Sequence, residues 1–256
     1  MNVVRARIVS NERLFGRTHL VWLHAPPLAK GASPGQFLMF RILNGSDPLL
    51  GRPMSYHGVR KGAEGDEVAL LYQVWGRATA LLAKKAPGDE VLAWGPLGRG
   101  YAVAPRARNL LLVAGGMGTA PLVWLAEQAV AKGKNVSFII GVRTAEQTAP
   151  VRSLPPQAEL VIVTEDGSLG RKGLVTEPFA ESLSWADQVF ACGPRPMYES
   201  MAQVVRKARS RTPVQVLLET NMACGIGLCY GCAIETRRGV KQVCRDGPRF
   251  ELREIF

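Results

Sequence analysis

The stretch Leu110-Leu111-Leu112-Val113-Ala114-Gly115-Gly116-Met117-Gly118-Thr119-Ala120-Pro121 decides the fold. Its bare apolar run reads as a strand buried on both faces, glycines follow it, and a helix spans about Ala120 to Lys132. Towards the C-terminus the same grammar repeats. Apolar strands are expected at 136–142, 160–164, 188–192 and 214–218, with a helix from Pro196 to about Arg209. Apolar strands alternating with helices predict a doubly wound parallel sheet, an α/β domain. Towards the N-terminus the period changes to two. Runs at 19–23, 36–43, 54–59, 67–75 and 90–94 read as short strands separated by turns such as Pro34-Gly35, Gly65-Asp66 and Pro87-Gly88-Asp89. With one helical insert at 79–85, this half reads as an antiparallel β-barrel or sandwich. The organisation expected is therefore a β-barrel over 1–101, the α/β domain over 102–218 and a small cysteine-rich segment over 219–256.

Length and composition agree. A chain of 256 residues exceeds what one core usually serves, and 47% hydrophobic against 21% charged residues excludes wholesale disorder. The surplus of Lys and Arg gives a net charge of +11, which asks for an anionic partner. The basic residues are scattered, without an aromatic-interleaved stripe, so the footprint of a nucleic-acid binder is missing. No membrane segment is expected either. The longest apolar run, Leu110 to Ala126, is broken by Gly115, Gly116, Gly118 and Pro121, and the N-terminus lacks a signal-peptide stretch, so a cytoplasmic location is expected. A phosphate-bearing cofactor remains as the natural counterion.

The last segment is too short to bury a core of its own, and a metal is the usual substitute. It holds Cys224, Cys229, Cys232 and Cys244, with four, two and eleven residues between them. That is the plant-type spacing for a [2Fe–2S] cluster: a tight loop supplies three thiolates and a separate strand the fourth. Gly225, Gly227 and Gly231 let backbone N–H groups approach the sulfurs, and Arg237, Arg238, Lys241 and Arg245 are candidates to balance the negative core. A zinc site is the alternative, but zinc favours paired C-x2-C hooks and only one such pair is present. His19, His24 and His57 show no ligand spacing.

Phosphate-binding signals precede it. Arg52-Pro53-Met54-Ser55 opens a strand, where an arginine can clamp a pyrophosphate and a serine can reach a flavin ring. Gly76-Arg77-Ala78-Thr79 stands at a helix start, which suits a phosphate or a plain N-cap. Gly115, Gly116 and Gly118 sit at the strand-to-helix turn where a doubly wound sheet binds a dinucleotide, although close packing alone would also select glycine there. Pro121 departs from the standard fingerprint. Cys192-Gly193-Pro194 ends a later strand at the same carboxyl edge.

Taken together, these motifs resemble the ferredoxin–NADP reductase superfamily. The segments Met222-Ala223-Cys224-Gly225-Ile226-Gly227 and Cys244-Arg245-Asp246-Gly247-Pro248-Arg249-Phe250 narrow the resemblance to the electron-transfer subunits of class 1B dihydroorotate dehydrogenases. The resemblance covers essentially the whole length, including Gly95-Pro96-Leu97-Gly98 and Thr164-Glu165-Asp166-Gly167-Ser168. It implies FAD contacts by Arg52, Pro53, Met54, Ser55, Leu71, Tyr72, Gln73, Ala78 and Thr79. Ala78 stands where the family usually has glycine, and Met54 where the superfamily often has an aromatic. It implies NAD beside Gly115 to Pro121 and Cys192, Gly193 and Pro194, and a [2Fe–2S] cluster on the four clustered cysteines. It further implies an FMN-containing catalytic partner in a heterotetramer of two subunits of each kind. Electrons from dihydroorotate would pass through cluster and FAD to NAD⁺, in pyrimidine biosynthesis. The same module wired to another complex, as in a ferredoxin–NADP reductase or a hydrogenase diaphorase, is the competing reading.

Overall fold

The computed structural model describes residues 1–43, 45, 47–148 and 154–256. The chain forms two compact units. The first comprises Met1–Gly100 with Glu219–Glu235 and Val240–Pro248; the second comprises Tyr101–Leu218 with Thr236–Gly239 and Arg249–Phe256. The cysteine-rich segment is thus shared between them.

The first unit runs β1 (Asn2–Phe15), β2 (Thr18–His24), α1 (Pro26–Ala29), β3 (Phe37–Ile42), β4 (Arg52–Ser55), β5 (Gly58–Gly62), β6 (Gly65–Gln73), α2 (Arg77–Leu82) and β7 (Glu90–Leu97). Its antiparallel sheet has the order β4-β3-β7-β1-β2-β6-β5. Strand β7 shows the period-two alternation cleanly, with Val91, Ala93, Gly95 and Leu97 buried. Ile8, Leu23, Leu38, Met39, Phe40, Tyr56 and Tyr72 fill the interior; each such side chain taken from water stabilises the fold by about 1.5–3 kcal/mol. The strand expected over 54–59 is in fact two. At its middle the chain changes partners: the Tyr56 N–H donates to Gln36 O (3.1 Å) and the His57 N–H to Ala69 O (2.9 Å). The segment thereby crosses from the β3 side to β6, bringing the two ends of the strand order together as a barrel requires.

The second unit continues with β8 (Asn109–Gly115), α3 (Thr119–Ala131), β9 (Asn135–Val142), β10 (Glu159–Thr164), β11 (Arg171–Lys172), α4 (Thr176–Ser182), β12 (Gln188–Cys192), α5 (Arg195–Lys207) and β13 (Val214–Leu217). The remaining elements are β14 (Ala233–Thr236) and β15 (Gly239–Gln242), a two-stranded sheet, then α6 (Val243–Asp246), β16 (Arg249–Glu251) and α7 (Leu252–Ile255). The large sheet has the order β11-β10-β9-β8-β12-β13-β16, parallel except for β16, which pairs antiparallel with β13. From β8 the chain builds outward through β9 and β10, then returns to the other side of β8 with β12. That places a topological switch point between β8 and β12. Leu110, Leu112, Leu122, Phe138, Ile140 and Phe190 form the core beneath it.

Two buried glutamines pin the entry to this sheet. Gln188 accepts from Ala104 N (2.9 Å) and donates to Ala102 O (2.8 Å), while Gln215 accepts from Ala102 N (3.0 Å). Both side-chain amides are therefore satisfied inside the unit, which is the condition for burying them. Among the described residues, no helix is long and apolar enough to cross a membrane.

Candidate functional site

The cysteine loop is built on left-handed backbone. Gly225 and Gly227 have φ of +73° and +84°, and Tyr230 joins them at +57°. These turns aim amide protons inward. Ile226 N and Leu228 N each donate to Cys224 Sγ at 3.4 Å, Gly227 N donates to Cys244 Sγ at 3.1 Å, and Cys244 N to Cys232 Sγ at 3.5 Å. The thiols stand as two pairs, Cys224 with Cys229 and Cys232 with Cys244, and the Cys224 charge is felt at Cys244. A dinuclear core asks for two thiolates on each iron, so this two-plus-two grouping fits a [2Fe–2S] centre. Among the described residues, no three His, Cys, Asp or Glu side chains are grouped to hold a single metal ion.

The two pairs differ electrostatically. Burial opposes charge on Cys224, but amide donation from Ile226, Cys229 and Leu228 prevails and lowers its thiol to about 6. Burial, then the hydrogen bond and charge of Cys232, push Cys244 up to about 12. Cys229 is exposed, whereas Cys232 and Cys244 are buried.

Supports reach the loop from elements distant in sequence. The Trp94 indole N–H donates to Cys224 O (3.2 Å), and a Cβ on Gly225 would lie 2.6 Å from Met39 Cγ. The Gln242 amide donates to Gly227 O (3.1 Å). None of these supports carries a local sequence signal. Of the four basic residues named above, Arg245 lies against Gly227, while Arg237 turns away to the Phe256 main-chain oxygen. Ile226, Leu228 and Tyr230 leave the loop with an exposed apolar rim.

At the switch point, Gly115, Gly118 and Gly193 serve close approach. A Cβ on Gly118 would sit 1.8 Å from Cys192 O; one on Gly115, 2.7 Å from Pro194 Cδ; one on Gly193, 2.5 Å from Met197 Cε. Gly116 differs: its φ is +54° and a Cβ there would meet nothing within 4 Å. The turn therefore presents open backbone at Gly116 above a tightly closed base. Cys192 is buried at the end of β12, in register between Ala114 and Leu217. The Tyr198 hydroxyl accepts from Gly193 N (2.9 Å) and donates to Leu217 O (2.6 Å), fixing the loop that carries Gly193 and Pro194.

In the barrel, Arg52, Pro53, Met54 and Ser55 form the terminal strand β4, all half-buried. The pleat puts Arg52 and Met54 on one face and Pro53 and Ser55 on the other. The Arg52 guanidinium donates to Leu50 O (2.9 Å) and Gly51 O (3.1 Å), which holds the side chain near its own loop. Leu71 and Tyr72 are both buried, on opposite faces of β6. The Tyr72 ring stacks on His19 at 5.4 Å, its hydroxyl donates to Asn11 Oδ1 (3.0 Å), and burial pushes its phenol up to about 12. Ala78 and Thr79 are buried in α2, and Thr79 Oγ1 accepts from Trp75 N (3.0 Å) and Gly76 N (3.2 Å). That hydroxyl thus closes its own helix start. Beside these residues Trp75 stands 81% exposed, its indole N–H donating to Gln73 Oε1 (3.0 Å). Large aromatics are seldom left so bare, and an isolated Trp in a strand pattern gives no hint of it.

An antiparallel barrel, a doubly wound sheet with an open glycine turn and a four-thiol loop define an oxidoreductase module of the flavin-reductase fold carrying an iron–sulfur segment. Residues 219–256 match the family described as the iron–sulfur cluster binding domain of dihydroorotate dehydrogenase B. The chain is 35% identical to the dihydroorotate dehydrogenase B (NAD(+)), electron transfer subunit of Geobacillus thermodenitrificans, over 98% of this chain and 97% of that protein. It is 38% identical to the subunit of the same name from Clostridium acetobutylicum, over 87% and 86% of the two chains. The chain belongs to this family of electron-transfer subunits. Among solved structures it resembles an NADH-dependent reduced ferredoxin-NADP oxidoreductase, with TM-score 0.85 and 28% identity, over 99% of this chain and 90% of that one. A ferredoxin NADP+ reductase from Neisseria gonorrhoeae, solved with FAD and NADP, shares the fold at TM-score 0.65 and 18% identity, over 80% and 91%.

Proposed function

We propose that this chain is the electron-transfer subunit of a cytoplasmic NAD-dependent dihydroorotate dehydrogenase, working with an FMN-containing catalytic subunit in a heterotetramer of two of each. The observation that carries the reading is the two-plus-two grouping of Cys224, Cys229, Cys232 and Cys244 at the end of a chain that aligns with this family over nearly its whole length. When bound, FAD and a [2Fe–2S] cluster supply the exchange between two-electron nicotinamide chemistry and one-electron transfer that such a subunit needs.

The chain's own residues divide the work. The four thiolates hold the iron, and the amides of Ile226, Gly227, Leu228 and Cys244 donate to their sulfurs, favouring the more negative, reduced charge state. Arg52 and Ser55 on β4, with the backbone of Leu71 to Gln73, bind and orient FAD. Trp75, exposed beside Gln73, would offer the flavin an aromatic face that Met54 does not provide. The open backbone at Gly116, beside the loop of Cys192, Gly193 and Pro194, receives NAD(H). Ile226, Leu228 and Tyr230 form the apolar rim that the catalytic subunit covers, which keeps water from the cluster.

The Cys229→Ser variant tests the reading. It is expected to lose iron and the cluster's visible absorption while retaining FAD and its reduction by NADH. In the reconstituted complex, dihydroorotate-dependent reduction of NAD⁺ should fall at least about a hundredfold. Normal coupled turnover without iron would overturn the assignment, and a strong preference for NADPH would overturn its nicotinamide half.

A further inference from the structure

A second strongly basic feature lies in the second unit, and the electron-transfer reading makes no use of it. A cavity of about 340 Å³ opens where the C-terminal end of α5 meets α7, lined by Arg206, Arg209, Arg211, Arg237 and Arg253 over a floor that includes Val205 and Leu252. All five arginines are exposed, and apart from the carboxyl group of Phe256 no acid lines the cavity. Among the other arginines, Arg5, Arg7, Arg60, Arg77, Arg171 and Arg195 each meet an Asp or Glu. Among the described residues, none of the five cavity arginines does.

Main-chain oxygens, one of them in the Phe256 carboxyl, position three of these side chains. Arg253 donates to Ser210 O, Arg206 donates to Phe256 O at 3.3 Å, and Arg237 donates to the same oxygen. A guanidinium carries five N–H donors, so each anchored arginine keeps donors for a ligand. The backbone adds an independent sign. Helix α5 closes with Arg209 N donating to Arg206 O (3.0 Å) and Ser210 N to Val205 O (3.2 Å), a double-bonded cap that needs a left-handed residue. Glycine is the ordinary occupant. Here it is Arg209 at φ +47°, a strained choice that puts a fourth charge between Arg206 and Arg211.

We propose that this cavity is a binding site for the phosphate or diphosphate group of a small molecule. Planar guanidinium forks match phosphate oxygens in pairs, and a cluster of five guanidinium groups suits a polyanion far better than a single carboxylate. The volume admits a diphosphate with a modest organic substituent resting on Val205 and Leu252.

The test uses the full chain with its cofactors loaded and NAD⁺ saturating, titrated with inorganic pyrophosphate by calorimetry at two ionic strengths. One salt-sensitive site per chain is expected. Arg209→Gly and Arg211→Ala should each weaken it about tenfold or more, the loss of a charge-assisted contact, while Arg171→Ala on the same unit leaves it unchanged. Arg209→Gly should at the same time raise thermal stability, because glycine relieves the strained cap. The proposal is overturned if pyrophosphate does not bind, if binding is indifferent to both cavity variants, or if those variants lose only affinity for the catalytic subunit.

Discussion

The glycine turn after β8 and the cysteine loop are both glycine-rich, yet their glycines answer different physical demands. At Gly118 the obstacle is backbone: a Cβ would stand 1.8 Å from the Cys192 carbonyl oxygen, which belongs to the neighbouring strand and cannot move aside. At Gly225 and Gly227 the demand is handedness, φ of +73° and +84°, and the atoms nearest a Cβ are the side chains of Met39 and Arg245. The first kind of glycine sets how closely two strands' loops approach. The second kind sets where an amide proton points. Gly116 belongs with the second kind although it sits in the first region, since its φ is +54° and its surroundings are open. A glycine count alone merges these cases; the substitution cost separates them.

The largest expected effect is therefore Gly118→Ala. Relief requires the ends of β8 and β12 to separate, which should destabilise the second unit by about 3 kcal/mol or more in denaturant unfolding. A variant that unfolds with the wild-type midpoint would show that the contact yields, and the contrast between the two regions would collapse.

Next come the left-handed positions Gly227 and Gly116, where alanine costs about 1–2 kcal/mol of backbone strain and meets no backbone atom. The two substitutions should then diverge in what else they disturb. Gly227→Ala turns the amide that donates to Cys244 Sγ at 3.1 Å, so a redox titration should find the cluster potential lowered, with NADH reduction of the flavin unchanged. Gly116→Ala should raise the KM for NADH and leave the cluster potential where it was. Each readout moving in the other variant would erase the distinction.

The same division explains what was legible in the sequence. Leu110 to Ala114 announced a two-face-buried strand, and the spacing of Cys224, Cys229 and Cys232 announced a cluster loop, because both signals are local. The two glutamines that clamp Ala102 and Ala104 were silent: nothing beside Gln188 or Gln215 marks an amide for burial. Trp94 falls at the end of an expected strand, and only the fold brings its indole to Cys224 O across 130 positions. Strand β1, the longest in the chain, escaped the period-two reading because only Ala6 and Ile8 along it are buried and two bulges interrupt its register with β2. Strand β16 escaped for a related reason. Three residues cannot display a period, and it exists because β13 offers an edge.

The smallest expected effect is the sharpest check on the argument, because it concerns a glycine inside the cysteine loop that fits neither kind. Gly231 follows the left-handed Tyr230 but is not itself left-handed, and the one atom a Cβ would approach is Cys229 Sγ at 3.5 Å, an ordinary contact. Motif reading would group it with Gly225 and Gly227. Geometry does not, because no reversed φ and no collision depends on it. Gly231→Ala should leave stability within about 0.5 kcal/mol of wild type and leave iron content and the cluster potential unchanged. Loss of iron in this variant would mean that the loop needs glycine for a reason other than handedness or close approach, such as the space a bound core occupies beside Cys229. The division drawn between the two regions would then need a third member.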